Sequence, residues 1–319
     1  AKGFAFEYSA TFGQAIQPSV PDLFNEYSKT ILFDYSYRYF YGDGYGKDFN
    51  VVNIRKDSAN ETNYLIASLL TFYQQMRVYS NLHTEKNPEI RGFNFERPLM
   101  MFVGAKVLQS ASKDISEVME IVKILKRIIE KREDTIHRIE DILAGGEESG
   151  LIGFAVHFDY IRHLGAIGIY EDMLEIVFNM SVHGKRLVVH DLSGVTGEIG
   201  LKVAGEANNY FGVINIGDKP KFLSECGKNE IETFKQPITD SLFQKINDRE
   251  STVQILIGSK KFNEGWKSWR VSTMGLLKIG KKQGSQIIQL FGRGVRLRGY
   301  NNTLKRSSAL LPDERPSLI

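Results

Sequence analysis

Two arginines and a glutamine near the carboxyl end of the chain have the spacing of one helical face. Gln289, Arg293 and Arg296 lie at positions i, i+4 and i+7, so their side chains project from the same side if the segment is helical. Two guanidinium groups and an amide on one face suit a multiply charged oxyanion such as phosphate. The spacing alone leaves open the alternative of an amphipathic helix with a solvated basic face.

Glycines within the same segment and the residues upstream of it favour a ligand site. Gly292 and Gly294 each cost about 1 kcal/mol relative to Ala inside a helix, which indicates that another backbone or a ligand comes close. Upstream, Val253–Ile257 is predicted to be a buried parallel strand, followed by a polar loop and a second strand at Val271–Leu277. Ligands of open α/β sheets bind beyond the carboxyl ends of the strands, so this order predicts a nucleotide-binding edge.

These segments resemble motifs five and six of superfamily-two helicases. The motif-six pattern Gln-x-x-Gly-Arg-x-x-Arg is present at Gln289, Gly292, Arg293 and Arg296. The loop Glu264-Gly265-Trp266 resembles motif five in the restriction (Res) subunits of type III restriction enzymes, although Lys267 stands where those subunits usually have Asp. Phe6-Glu7-Tyr8-Ser9-Ala10-Thr11 resembles motif three, and Pro98–Val103 resembles the strand of motif four.

The resemblance implies an α/β fold with a RecA-like, doubly wound parallel sheet. Residues 1–50 would be the end of a first RecA-like domain with its connector, beginning with a strand at residues 3–8. Residues 51–300 would form the second RecA-like (helicase C-terminal) domain, with a helical insertion at about 113–145. Residues 301–319 would be a basic tail or linker, and the chain is expected to be a fragment of a longer protein.

The resemblance also implies roles for individual residues in an ATP-driven DNA motor. Arg293 and Arg296 would act as catalytic arginine fingers with Gln289 beside them, and such fingers can be worth about 10³–10⁵ in rate. Glu264, Gly265, Trp266 and Gly292 would line the nucleotide site. Ser9 and Thr11 would couple ATP to nucleic acid, and Ser259, Lys260 and Lys106 would contact DNA phosphates.

Cofactors and partners follow from the same resemblance. ATP and Mg²⁺ would be needed, but the chain has no Gly-x-x-x-x-Gly-Lys-Ser/Thr segment, so the magnesium ligands are expected outside it. No metal site is expected within the chain itself. The Pro-Asp…Asp/Glu-x-Lys signature of the associated nuclease is also missing. The expected partners are double-stranded DNA and a modification methyltransferase subunit.

Composition limits the class of protein. The 319 residues carry a net charge of +3 and a single cysteine, Cys226, which excludes a disulfide framework and fits a reducing compartment. No run approaches the roughly 20 apolar residues of a membrane span, so a cytoplasmic protein with no membrane partner is expected.

Two other functions stay open. One is a related motor, such as an RNA helicase or a repair translocase, although DEAD-box RNA helicases begin motif six with His-Arg and this chain has Gln289. The other is a nucleic-acid-binding module that kept the fold but has no ATPase activity.

The remaining patterns predict supporting elements. Asn60–Asn81 is predicted to be a helix with its core face at Leu65, Leu69, Phe72, Met76 and Tyr79. Asp114–Leu143 is predicted to be one long helix with an apolar seam that is interrupted by Arg132. The seam could pair with a partner helix, but packing inside the domain is preferred. Leu187–Val189 and Phe211–Ile216 are predicted to be strands. Residues 42–46 resemble a phosphate loop in glycine content but are predicted to form a turn.

Overall fold

Helices and strands alternate along most of the chain in a computed structural model, which describes residues 6, 8, 21–51, 61–84, 93–104, 111–145, 155–206, 209–258, 266–277 and 284–314. The α-helices of these ranges are α1 (Pro21–Ser28), α2 (Tyr37–Gly42), α3 (Glu61–Thr84), α4 (Ala111–Glu130), α5 (Arg132–Ala144), α6 (Asp159–Arg162), α7 (Gly165–Phe178), α8 (Lys219–Lys228) and α9 (Gly284–Gly294). The strands are β1 (Leu99–Gly104), β2 (Leu187–Leu192), β3 (Glu198–Val203), β4 (Gly212–Asn215), β5 (Glu232–Gln236), β6 (Ile255–Gly258) and β7 (Val271–Leu277).

The chain divides into two compact units. The first comprises residues 1–49, 89–94 and 280–319, and it contains α1, α2 and α9. The second comprises residues 50–88 and 95–279, and it contains the sheet and the other α-helices. The domain boundaries expected from the sequence, at residues 50 and 300, stay a prediction.

The seven strands form one sheet in the order β5-β2-β3-β4-β6-β1-β7. Strand β3 runs antiparallel to β2 and β4, whereas every other neighbouring pair is parallel. Residues 193–197, with Gly197 at φ +73°, connect β2 to β3, and a link this short can join only antiparallel strands. The α/β class with a mostly parallel sheet is confirmed, and β3 is the antiparallel strand among those described.

Both faces of the central strands are buried. On β1, Phe102 and Met101 point to opposite faces, and each is 0 % exposed. Phe102 belongs to a core that includes Ile257 of β6 together with buried side chains of α3, α4, α5, α7 and α8. Burial on both faces explains the continuous apolar runs that predicted these strands, because a half-exposed strand would alternate.

Helix α3 confirms the predicted helix at Asn60–Asn81 and extends to Thr84. Leu65, Leu69, Phe72 and Met76 are at most 2 % exposed, and Tyr79 is half-buried. The apolar face therefore packs into the core, as its spacing predicted.

The single helix predicted for Asp114–Leu143 was wrong, because the structure has two helices in this range. Lys131, at φ −115° and ψ 73°, separates α4 from α5, and Gly145 ends α5 in the left-handed conformation. In a continuous helix the carbonyl of Ile128 would accept a hydrogen bond from the amide of Arg132. It accepts instead from the hydroxyl of Tyr170 on α7, at 3.1 Å. This contact from another helix stabilises the break.

The apolar seam of this region packs inside the second unit, as predicted. The buried positions are Ile115, Val118, Val122, Leu125, Ile129, Ile136, Ile139 and Leu143. Arg132 lies outside the seam with 44 % of its side chain exposed, and it forms an ion pair with Glu171 at 3.0 Å.

Candidate functional site

Helix α9 carries the predicted oxyanion-binding residues in the first unit. Its inner side buries Leu290, which is 2 % exposed, and the following Val295, which is 6 % exposed. Phe291 contacts the rings of Tyr37 and Phe49 edge-on, with centroids 4.8 and 4.7 Å apart. Such edge-to-face pairs favour one orientation of the rings, so the aromatic residues of segment 37–49 fix the rotation of α9.

The glycine-rich turn at residues 42–46 holds the carboxyl end of α9. Gly44 and Gly46 adopt φ values of +89° and +81°, which favour glycine. A Cβ at Gly46 would lie 2.9 Å from a ring carbon of Phe40 and 3.2 Å from the carbonyl oxygen of Val295. The next amide, that of Lys47, donates to the same Val295 oxygen at 2.8 Å. The turn prediction is confirmed, and its glycines allow close approach of protein backbone.

Arg306 secures this turn from the other side. Its guanidinium lies 3.7 Å from the centroid of the Tyr41 ring, and it donates to the carbonyl oxygens of Tyr41 at 2.7 Å and Tyr45 at 2.8 Å. Only 12 % of its side chain is exposed. The sequence placed Arg306 in a basic tail, and no local pattern marks the role it has in the structure.

Helix α9 ends before Arg296, which was the last residue of the predicted helical face. Gln289 and Arg293 lie on α9, one turn apart, but α9 ends at Gly294 and Arg296 follows it in irregular backbone. The three side chains therefore do not share one helical face, and that prediction was wrong for Arg296. Just after the end of α9, the carbonyl of Val295 accepts a hydrogen bond from the amide of Lys47 at 2.8 Å.

Arg293 and Arg296 nevertheless act on each other electrostatically. Both are half-buried, while Gln289 is exposed. Burial lowers the pKa of Arg293, and the positive charge of Arg296 lowers it further. Two partly desolvated guanidinium groups thus create a local positive potential beside an exposed amide. This arrangement can bind an anion with several oxygens and stabilise negative charge that develops on it.

Gly292 lies between these residues on the exposed side of α9. A Cβ at this position would meet no described atom within 4 Å. Of the two alternatives that the glycine suggested, another backbone does not come close among the described residues, and the approach of a ligand stays a prediction. No described atom obstructs a ligand at this position.

Several predicted site residues lie outside the described residues. These are Ser9, Thr11, Lys106, Ser259, Lys260, Glu264 and Gly265. Of the predicted strand at residues 3–8, Phe6 and Tyr8 are described, and both are exposed and outside any strand. Trp266, in the second unit, is half-buried and packs against the Phe243 ring with centroids 5.5 Å apart. Its predicted role at the nucleotide stays a prediction.

The second unit has a polar cluster that the sequence did not predict. Lys219, at the start of α8, forms an ion pair with Asp191 at 2.7 Å and donates to the carbonyl of Leu192 at 3.0 Å. Strand β4 is separated from β2 by β3, and at its end the side-chain amide nitrogen of Asn215 is buried without a hydrogen-bond partner among the described residues. Ligands of α/β sheets bind beyond the carboxyl ends of parallel strands, and these polar side chains lie at that edge of the sheet.

Comparisons with known proteins do not assign a function to this chain. No family model, curated protein or solved structure matches this chain. Within the described ranges, no helix combines the length and apolar character that a membrane crossing requires. In the same ranges, no group of three or more His, Cys, Asp or Glu side chains could hold a metal ion.

Proposed function

We propose that this chain is part of an ATP-driven DNA translocase or helicase of superfamily two, similar to the restriction subunit of type III restriction enzymes. The observation that carries this proposal is the cluster of Gln289, Arg293 and Arg296 at the end of α9. Burial and the positive charge of Arg296 both lower the pKa of Arg293, so the two guanidinium groups repel each other. A bound phosphate would relieve that repulsion, so the cluster is suited to an anionic ligand.

The cluster fits a transferring phosphoryl group better than a static phosphate. Its residues sit on a helix end that aromatic contacts and the Val295 carbonyl hold in place. Fixed donors of this kind need no reorganisation as negative charge develops, and they therefore stabilise the transition state more than the ground state. On this proposal, Arg293 and Arg296 act as arginine fingers and Gln289 positions the phosphate or the attacking water.

The cofactors and partners on this proposal are ATP, Mg²⁺, double-stranded DNA and a modification methyltransferase subunit, in the cytoplasm. The described residues contain no cluster that fits a magnesium ion, so its ligands would come from elsewhere in the protein. The chain also lacks the glycine loop that cradles nucleotide phosphates. We therefore expect this chain by itself to show no DNA-stimulated phosphate release.

The test is steady-state ATP hydrolysis by the full-length protein with saturating DNA. Arg293→Ala and Arg296→Ala should each lower turnover at least about tenfold, with little change in DNA binding without nucleotide. Arg293→Lys should not restore full turnover, because an ammonium group lacks the planar fork of a guanidinium. Arg38→Ala is the matched control, since Arg38 is an exposed arginine of the same unit.

A second variant separates ligand approach from folding. Gly292→Leu fills the open space beside Arg293 without meeting a described atom at its Cβ, so the fold should be retained. On our proposal, this side chain obstructs the nucleotide and turnover falls. If Arg293→Ala and Arg296→Ala keep normal turnover but lose DNA, the cluster binds the nucleic-acid strand and the ATPase role is wrong.

A further inference from the structure

A groove of about 450 Å³ lies in the second unit, between the carboxyl-terminal half of α4, the start of α5 and the carboxyl end of α8. Its lining includes four cations and two acids, namely Lys123, Lys126, Arg127, Lys131, Glu130 and Asp134. The net charge of this lining is positive, and neither the motif resemblance nor the α9 cluster accounts for it.

The two acids of the groove are already satisfied by protein partners. Asp134 accepts hydrogen bonds from Arg127 at 2.7 and 2.9 Å and from Arg138 at 3.1 Å. One oxygen of Glu130 accepts from the backbone amide of Leu187 at 3.1 Å. These carboxylates stabilise the break between α4 and α5 and the start of β2, so they are poorly placed to bind a cationic ligand.

The lysines, by contrast, keep unused donors. The exposed side chain of Lys131 makes no hydrogen bond or ion pair with the described residues. Lys123 contacts Glu120 at 3.0 Å, and Lys126 donates to the carbonyl of Glu230 at 2.9 Å and lies 3.9 Å from Glu130. Each ammonium group has three donors, so Lys123 and Lys131 keep donors that reach solvent. A ligand with anionic oxygens would accept hydrogen bonds from these lysine donors.

The spacing of the cations favours a polymer over a small molecule. Lys123 lies on α4 and Lys131 directly follows its last residue, so their Cα atoms are roughly 12 Å apart along the helix axis at about 1.5 Å per residue. A nucleic-acid strand carries one charge per about 3.4 Å of helix axis, so this length matches three or four phosphates. The lining has no aromatic ring on which a base could stack. We propose that this groove binds the phosphate backbone of nucleic acid, without sequence preference.

This inference does not rest on the proposed ATPase function. Binding to the groove needs neither nucleotide nor Arg293, so the two proposals can fail separately. The measurement is fluorescence anisotropy of a labelled 20-base-pair duplex with the full-length protein, without nucleotide, at several salt concentrations. The test variant is the double substitution Lys123→Ala/Lys131→Ala, and the matched control is Lys235→Ala, an exposed lysine on β5 outside the groove.

The double variant should bind the duplex more weakly, with a smaller salt dependence. Loss of two phosphate contacts should reduce the slope of log K against log salt by about 1.8, at about 0.9 per contact. The advantage of the wild type should then shrink about tenfold between roughly 50 and 200 mM salt. Both lysines reach solvent, so thermal unfolding should be unchanged, and Lys235→Ala should bind like the wild type.

Three results would overturn the inference. The first is an unchanged salt slope in the double variant. The second is a loss in Lys235→Ala that equals the loss per substituted lysine in the double variant, which would mean that general charge, and not the groove, controls affinity. The third is tighter binding of a polyglutamate peptide than of the duplex, lost in the double variant, which would identify the groove as a site for an acidic protein segment.

Discussion

Replacement of Arg306 by Ala should destabilise the turn at residues 42–46, which holds the carboxyl end of α9. This side chain is largely buried, and its guanidinium donates to the carbonyl oxygens of Tyr41 and Tyr45 while it covers the Tyr41 ring. In Arg306→Ala both oxygens lose a charged donor and the ring loses its cation. The turn that accepts the end of α9 would then lose its main anchor.

The size of the effect follows from these contacts. A hydrogen bond to a charged group contributes about 1.5–3 kcal/mol, and a cation–π contact at a partly buried site contributes about 1–2 kcal/mol. Since such terms are not additive, we expect a loss of about 3–5 kcal/mol in local stability. Arg306→Lys keeps the charge but cannot reach two carbonyls with a planar fork, so its loss should be intermediate.

Hydrogen exchange measures this loss locally. The amide of Lys47, which donates to the Val295 carbonyl, should lose at least about a hundredfold of protection in Arg306→Ala, because about 1.4 kcal/mol corresponds to a factor of ten. Lys305→Ala is the control, as the neighbouring ammonium only lies 5.6 Å from the Tyr45 ring centroid. Protection of Lys47 within threefold of the wild type in Arg306→Ala would refute the anchoring role.

Two further predictions concern the second unit. The Lys185 ammonium, with Ser181, lowers the pKa of Glu206 from 4.5 to about 2, so this carboxylate stabilises the fold above pH 4.5 and the contribution is lost as the pH falls towards 2. Glu206→Gln should therefore lower stability at pH 7 by about 1–3 kcal/mol and flatten the acid decline in thermal unfolding; parallel pH profiles for the two proteins would contradict this. Gly275→Ala should cost about 1–3 kcal/mol in urea unfolding, because its Cβ would lie 2.5 Å from the buried Phe102 ring. The control Gly227→Ala, in α8 with no atom within 4 Å, should be neutral or stabilising; equal effects would refute the steric argument.

The placement of the candidate site residues was predictable in part. Spacing predicted that Gln289 and Arg293 lie on one helix, and α9 carries both. Arg296 was misplaced because the helical spacing was extended past Gly294, where α9 ends. Arg306 had no local signal at all, since its partners are carbonyl groups of residues 41 and 45.

The strands show the same difference between what local sequence patterns predict and what long-range contacts decide. Apolar runs predicted β1 and β6, because a strand that is buried on both faces has apolar residues at consecutive positions. The edge strand β7 was also predicted, although its Ser272 is exposed. Strand β3 has a strand-like alternation in Ile199, Leu201 and Val203, yet nothing in that pattern specifies an antiparallel position between β2 and β4.

The sequence by itself determined the spacing at which buried apolar residues recur. It placed the faces of α3 and of the α4–α5 region correctly, since the core selects apolar side chains at helical spacing. Only the tertiary structure decided where helices end. The Tyr170 hydroxyl donates a hydrogen bond to the Ile128 carbonyl at the α4–α5 break, and the Lys47 amide donates to the Val295 carbonyl after α9. Every backbone carbonyl needs a donor, and a donor brought in by the fold can replace the next turn of a helix.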